Sequence, residues 1–515
     1  MKKLAMLLAL ALILSCATGI VPSAVAEETV TFTWMYPLGQ GFQVVDSMAQ
    51  NATIIRANAA NNVEIEFIHP PVGQETEQYN LMLAGDELPD IITHGWGLPE
   101  TYPGGADQAI LDEYFLDLTQ LIKDNAPNYQ GILDTNEVVR KAVTTDGGAV
   151  WNMCMVDLTP QPVWDGPVVR QDMLDRYGLE TPETIDEWYE VLTVLKEKAP
   201  ADYPDFIVPL WMVSLTHSFN QFMGAYNVDN TFQLNEEGEV VFGPVLDGFK
   251  EYLMTMNKWY TEGLFQEDFT ASGWSFEEPF LNDKCAALTD CGFWNFDYYT
   301  AAATNPDFVM MGTKYPSLVK GEISHISYTA TQARGYATVV TTDCENPEKA
   351  VSYLDWFYSP EGSLLANWGI EGEDYTVQED GTFLYTDKIV HNEEGVAIAT
   401  INFKYLYSHG AFLRDWEREN GSYGQEANDC QKRWGDSADD ALMMPVTLSY
   451  TDEESGEFTS IMNDINTYVA ENVVAFVTGE RSFDEWDAYV AQIEQMKIAR
   501  ATEIQTAAYT RWQAR

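Results

Sequence analysis

The pattern of apolar and polar positions divides the chain into alternating strands and helices. Val30 to Trp34 (VTFTW) and Val63 to Ile68 (VEIEFI) read as strands, and apolar residues over about 42–60 recur at helical spacing between them. Tyr79, Met82 and Leu83 share one helical face, which predicts a short helix over about 76–84. Gly85 can take the left-handed conformation that closes such a helix, and Asp86, Glu87 and Pro89 form a turn that cannot continue it. Asp90 to Thr93 then reads as a parallel strand buried on both faces. The order β-α-β-α-β opens a doubly wound sheet, in which the carboxyl ends of the strands border the ligand crevice. Trp34 and Tyr36 end the first strand and Trp96 follows the third, so all three are expected on that side. Leu116 to Asn125 predicts a helix over this sheet, and Thr144 to Met153 a turn followed by a strand that carries Trp151.

The character changes at Pro160 to Pro167 (PQPVWDGP), where three prolines and a glycine read as a connector to a second lobe. Beyond it Thr184 and Glu187 form a capping box, with Trp188, Leu192 and Leu195 on one face of the helix that follows. Phe206 to Met212 reads as a strand with Trp211 near its end, and Asn235 to Gly238 as a hairpin turn. Leu246 to Glu262 is an amphipathic helix. Phe276 to Trp294 is a helix and then a strand, after which come Phe296 and Tyr298. Ser324 to Val340 is expected to carry the chain back to the first lobe. Asn346 and Pro347 open a helix, Ser359 and Pro360 another that ends near Trp368, and the C-terminal part is helical, with Trp486, Tyr489, Val490, Ile493 and Met496 in one stripe.

Several of these stretches resemble the family 1 extracellular solute-binding proteins, the substrate-capturing components of bacterial ABC importers, mostly for sugars. The blocks are LAGDELPDII before Trp96, the Thr184 capping-box segment, the run NPEKA, YLDW and SPEG after Asn346, and the tail from Thr451 to Val490. The resemblance covers nearly the whole chain after its first residues. It implies an α/β, two-lobed, periplasmic-binding-protein type II-like fold with an interdomain cleft and a helical C-terminal part. Lobe 1 is expected over 27–158 and 328–375, and lobe 2 over 159–327 and 376–515. It also implies that Trp294 contacts sugar and that Trp368 to Tyr375, with Glu371, forms a loop near the cleft. In alginate-binding and related members a calcium loop follows the helix that Thr184 caps. Here that stretch is APADYPDFIVPL; Asp202 and Asp205 remain, too few oxygens for six or more ligands, so no metal is expected there.

Lys2 and Lys3 followed by the apolar run Leu4 to Leu14 form a secretory signal, with Ala24-Val25-Ala26 as a cleavage site before Glu27. Ile13-Leu14-Ser15-Cys16 offers a second reading, a poor lipobox with a lipid on Cys16. Either places the protein outside the cytoplasm, secreted or held at the cell surface. The net charge of −52 opposes nucleic acid and anionic membrane surfaces as partners, and no basic cluster offsets it. Cys154, Cys285, Cys291, Cys344 and Cys430 follow the signal, an odd number without a Cys-x-x-Cys pair; Cys285 and Cys291 read as small buried hydrophobes.

No nucleophile elbow, Walker loop, zinc-protease motif or dinucleotide fingerprint occurs, and the six histidines lack metal-ligand spacing, so neither catalytic residues nor a cofactor is expected. A secreted glycoside hydrolase or lyase would share the acidic, aromatic-rich composition, but with 80 carboxylates any nominated acid pair carries little weight. The surplus is aromatic, 15 Trp and 27 Tyr, and aromatic faces pack on the C–H faces of sugar rings. The expected ligand set is Trp34, Tyr36, Trp96, Trp151, Trp211, Trp294, Tyr298, Trp368 and Glu371, with Glu371 accepting from hydroxyls. The expected partners are a neutral carbohydrate and the membrane subunits of an ABC transporter, with the protein a monomer; a peptide or other small polar solute in the same fold stays open.

Overall fold

A computed structural model describes residues 29–515, apart from 86, 96–101, 103, 160–161, 217–220 and 328–331. The signal segment, Trp96 and part of the first connector therefore lie outside the described residues. The first two strands stand where the pattern predicts them, but the helix expected over about 42–60 is confined to Ala52–Asn61, with short 3-10 turns before it. β1 (Val30–Met35) pairs in parallel with β2 (Val63–Ile68), from Val30↔Val63 to Met35↔Ile68. The helix Ala52–Asn61 joins them; the Asn51 side chain caps its start, and Asn62, left-handed at φ 51°, ends it. β3 (Ile91–His94) pairs in parallel with β1 and is buried at every position, as a strand covered on both faces must be. The helix before β3 closes at Leu83 without a left-handed glycine: Ala84 is its cap, and the Gly85 N–H bonds to the Met82 carbonyl.

β4 (Met153–Asp157) runs toward the second lobe, whose sheet begins at once with β5 (Asp165–Arg170). β6 (Leu210–Trp211), the hairpin β7 (Phe232–Leu234) and β8 (Val240–Phe242), β9 (Ala287–Gly292) and β10 (Met310–Gly312) follow. The second sheet has the order β10-β5-β9-β6. β11 (Ala333–Val340) returns to the first sheet and lies between β3 and β4, antiparallel to both. After a small hairpin, β12 (Tyr375–Val377) and β13 (Phe383–Tyr385), the strand β14 (Phe412–Arg414) pairs in parallel with β4. The first sheet thus has the order β14-β4-β11-β3-β1-β2.

This pairing moves one expected boundary. Residues 376–414 belong with lobe 1, not lobe 2, because β14 extends the first sheet and Phe403, Tyr407 and Phe412 join its core. The third crossing falls immediately after Arg414, since Trp416 is already in a lobe 2 core with Trp434. No proline-rich connector marks it, so the sequence pattern gave no warning.

Each lobe has its own core. In lobe 1, Trp34, Tyr129, Tyr353 and Tyr358 pack on one face of the sheet, and Met35, Tyr79, Ile92 and Val339 on the other. In lobe 2, Trp188, Phe222 and Trp259 pack against Ile465, Phe476, Trp486 and Ile493 of the C-terminal helices. The five cysteines are buried and unpaired. Among the described residues no helix is long and apolar enough to cross a membrane.

Two ion pairs from one buried arginine anchor the second sheet. The Arg170 side chain, 0% exposed at the end of β5, donates to Asp172 through Nε and Nη2 and to Asp283 through Nη1 at 2.5 Å, over the ring of Phe308. Removing one member of a buried pair strands the others. Arg170→Met is expected to lower the unfolding free energy by about 3–5 kcal/mol in urea titrations. Arg176→Met, at an exposed pair with Asp202, should cost under about 1 kcal/mol.

Candidate functional site

The two crossing strands, β4 and β11, decide where ligand can sit. Side chains alternate across a strand, so each presents one set to each face. Met155 and Tyr336 line a cavity of about 170 Å³ at the junction of the lobes. Cys154, Ala333 and Ala337 face the other way, toward a second cavity of about 480 Å³.

The smaller cavity lies in the crevice that the strand ends define. It is bordered by Gln40 from the loop after β1, and by Tyr336, whose ring packs so closely on Gly95 at the end of β3 that a Cβ there would come within 3.0 Å. Trp164, just before β5, and Arg418 and Glu419, just after the third crossing, line it as well. Both lobes and all three crossings thus meet around one small space. The larger cavity lies behind, between the helix Gly105–Leu111 and the segment Val446 to Asp452. There Arg511 and Arg515 pair with Asp146, which bridges the C-terminal helix to the turn before β4. It is the bigger space and is also shared by both lobes, but no residue of the loop after β1 lines it, and we take the crevice cavity as the site.

The charges in the crevice balance. Arg414 holds Asp157 through Nε and Nη2, the latter at 3.0 Å, and lies over the Trp416 ring. Arg418, 3% exposed, donates to the Tyr407 carbonyl at 2.9 Å, and its Nε faces Glu419 at 3.7 Å. Burial, with Arg414 and Arg418 adding to it, pushes the His409 imidazole down to about 3, so it is neutral at physiological pH. Its ring lies against Tyr336 with centroids 4.1 Å apart, tilted by 35°, and Tyr36 fixes its backbone by donating to the His409 carbonyl at 2.8 Å. Asn402 Oδ1 and Ser408 Oγ are buried without a hydrogen-bond partner, and both residues line this cavity. An amide oxygen and a hydroxyl in that state are suited to a hydroxyl-bearing guest.

The expected ligand residues divide sharply. Trp34 is a core residue: its indole donates to Thr93 Oγ1 at 2.9 Å, stacks on Phe67 and meets the edges of Tyr36 and Tyr353, leaving no face for a guest. Tyr36 is buried beside it, its hydroxyl on the His409 carbonyl. Trp211 is buried in lobe 2, donating to the Gly273 carbonyl at 3.1 Å. Trp368 is buried among Tyr375, Phe383 and Tyr385, its Nε1 on Asp415. Trp151 is buried and lines the rear cavity, not the crevice. Glu371 is exposed on a turn and lines neither cavity. In each aromatic case large-ring burial in a long chain outweighs position at a strand end. Trp294 and Tyr298, by contrast, are 46% and 54% exposed, just beyond β9. The Phe293 N–H bonds to the Trp164 carbonyl at 2.8 Å, which holds this segment against the crevice wall.

Gln40, Trp164, Tyr336, Asn402, Ser408, His409, Arg414 and Arg418 were not singled out from sequence. Only Trp164 had a signal, its place in the proline-rich connector. In the stretch after the helix that Thr184 caps, the Asp202 carboxylate is taken by Arg176 at 2.7 Å and by the Tyr177 hydroxyl at 2.9 Å. Among the described residues no three potential ligands are grouped to hold a metal ion.

The sequence pattern that defines the bacterial extracellular solute-binding proteins matches residues 46–363. Lipoprotein LipO of Bacillus subtilis is 23% identical over 354 residues, 65% of this chain and 66% of LipO. The fructooligosaccharide ABC transporter substrate-binding protein FusA of Streptococcus pneumoniae is 20% identical over 462 residues, 85% of this chain and 83% of FusA. Among solved structures, an HMO-binding, ABC-transporter-associated solute-binding protein from Bifidobacterium longum infantis superposes with a TM-score of 0.74 at 16% identity, covering 94% of this chain and 99% of its own. At that identity the superposition establishes the two-lobed fold.

Buried and exposed tryptophans should behave differently. Trp34→Ala should cost about 3–5 kcal/mol of unfolding free energy, as large-to-small core changes do, and Trp294→Ala should stay within about 0.5 kcal/mol, as exposed positions do. His409 has a folded pKa below the ordinary 6.5, so on acidification the unfolded chain takes up its proton first. Its contribution to stability is complete above about pH 6.5 and is lost as pH falls toward about 3. The pH dependence of unfolding free energy between 6.5 and 4 should therefore be shallower in His409→Gln than in the unaltered protein.

Proposed function

The chain belongs to the bacterial extracellular solute-binding protein family, and from that premise we propose that its crevice captures a neutral oligosaccharide and delivers it unchanged to the membrane subunits of an ABC importer. The observation that carries this reading is the crevice cavity itself. It combines an aromatic wall, the tilted pair of Tyr336 and His409, with buried and unpartnered Asn402 Oδ1 and Ser408 Oγ. It presents two guanidinium groups, each with a carboxylate beside it, so no net charge selects an ionic guest. Apolar ring faces with hydroxyl edges match such a lining. FusA and the HMO-binding relative, named for oligosaccharides, support the same class. Trp294 and Tyr298 form the lobe 2 wall.

The family consists of binding proteins, not enzymes, and no covalent step is needed. A guest that touches Asn402 in lobe 1 and Trp294 in lobe 2 at once favours the arrangement in which the lobes close on it. The importer would read that arrangement. The protein works as a monomer outside the cytoplasm, freed by cleavage after Ala26 or held by a lipid on Cys16.

A glycan panel followed by Trp fluorescence and melting temperature tests this. Ligand at about 100 times its dissociation constant should add roughly 2.7 kcal/mol of stability, and the glycan should be recovered intact. Asn402→Ala should weaken binding by roughly five- to tenfold, the loss of one hydrogen bond. Failure of every glycan to shift either signal, or release of shortened products, would overturn the proposal.

A further inference from the structure

The cavity behind the β4–β11 ribbon, about 480 Å³, has the volume that small-molecule sites occupy. Its walls come from both lobes. Trp151, Cys154 and Ala337 line it and are buried. Leu111 of lobe 1 and Val446 of lobe 2 also line it, yet are 73% and 52% exposed. The polar groups around these apolar walls are mostly engaged. Asp146 is held by Arg511 and Arg515, the Thr447 hydroxyl accepts from the Trp512 indole at 3.1 Å, and the Thr145 hydroxyl accepts from the Ala149 N–H at 3.2 Å. Asn152 differs. It lines the cavity, is 2% exposed, and its Oδ1 is buried without a hydrogen-bond partner. Its backbone is fixed by the Tyr129 hydroxyl, which donates to the Asn152 carbonyl at 3.3 Å.

A buried amide oxygen without a donor costs free energy, and a guest that brings an N–H or O–H recovers it. Water fills such a space poorly, because apolar walls leave most of the waters short of partners. Charge gives an ionic guest no advantage. Both arginines are bound to Asp146, so neither is free for an anion. Of the other acids on the walls, Asp107 accepts from the Gly147 N–H at 3.0 Å, and both Asp107 and Asp452 stand in the first turn of a helix, whose N-terminal end favours their charge. We propose that the rear cavity is a second binding site, which takes a small neutral molecule with an apolar body and one N–H or O–H group directed at Asn152 Oδ1. The ribbon stands between it and the crevice, so its occupancy needs no carbohydrate in front.

Indole is the probe, and 1-benzothiophene, nearly the same shape with sulfur in place of the N–H, is its control. Ligand-observed NMR and calorimetry should show indole bound to the unaltered protein with a Kd of about 1 mM or below. Asn152→Leu should weaken indole by about three- to tenfold, the loss of one hydrogen bond, and should not weaken 1-benzothiophene. Ala337→Leu should fill the space and abolish binding of both. Leu111→Ser combined with Val446→Ser, at exposed positions that folding tolerates, should weaken both probes severalfold at an unchanged melting temperature, and it keeps the test open if Ala337→Leu does not fold. Asn402→Ala, altered only in the crevice, should leave both probes unaffected. Absence of indole binding to the unaltered protein overturns the rear site. So do unchanged affinities in the wall variants, equal changes for the two probes in Asn152→Leu, or a loss in Asn402→Ala.

Discussion

The structure depends on the antiparallel pairing of β11 with β4, the two strands that carry the chain out of lobe 1 and back. Backbone hydrogen bonds between them hold both lobes to one ribbon. Outside the irregularity between Ala333 and Ala337, their two-residue side-chain period assigns positions on it to the crevice or to the rear. Met155 and Tyr336 face the front cavity, and Cys154 and Ala337 the rear one. A one-residue slip would exchange the two sets, so the identity of the site is written in this register.

Around that ribbon the protein keeps its polar groups under control by pairing. The chain carries a formal charge of −52, yet Arg414, Arg418 and Asp157 lie at the centre, each placed by a specific partner. Burial of His409 as a neutral ring adds a polar aromatic surface without adding charge. Electrostatic balance here does not attract a ligand from far away; it avoids penalising a neutral one. Recognition then falls to shape, stacking and a few unpartnered oxygens. The exposed Trp294 indole of lobe 2 fits the same economy, since it adds apolar contact area with few rotatable bonds.

Much of the architecture was legible before any coordinates. β1, β2 and β3, the capping box at Thr184 and the helical tail follow from patterns of two and of 3.6 residues, which are local properties of the backbone. The connector at Pro160 to Pro167 is legible because proline restricts the backbone wherever it occurs. The third crossing was not, because Phe412 to Trp416 (FLRDW) is a short mixed run with no proline or glycine to mark a boundary. Only the pairing of β14 with β4 assigns it.

The sequence by itself determined the two-lobed α/β class, the order of its elements and the kind of chemistry available, because these depend on residue type and spacing. It could not tell a buried tryptophan from an exposed one. Trp34 and Trp294 both stand at the end of a strand, yet Phe67, Tyr36 and Tyr353 enclose the first while the second keeps an open face. That difference, like the meeting of Asn402, Ser408 and Tyr336 around one cavity, is set by residues distant in the chain, and only tertiary packing brings them together.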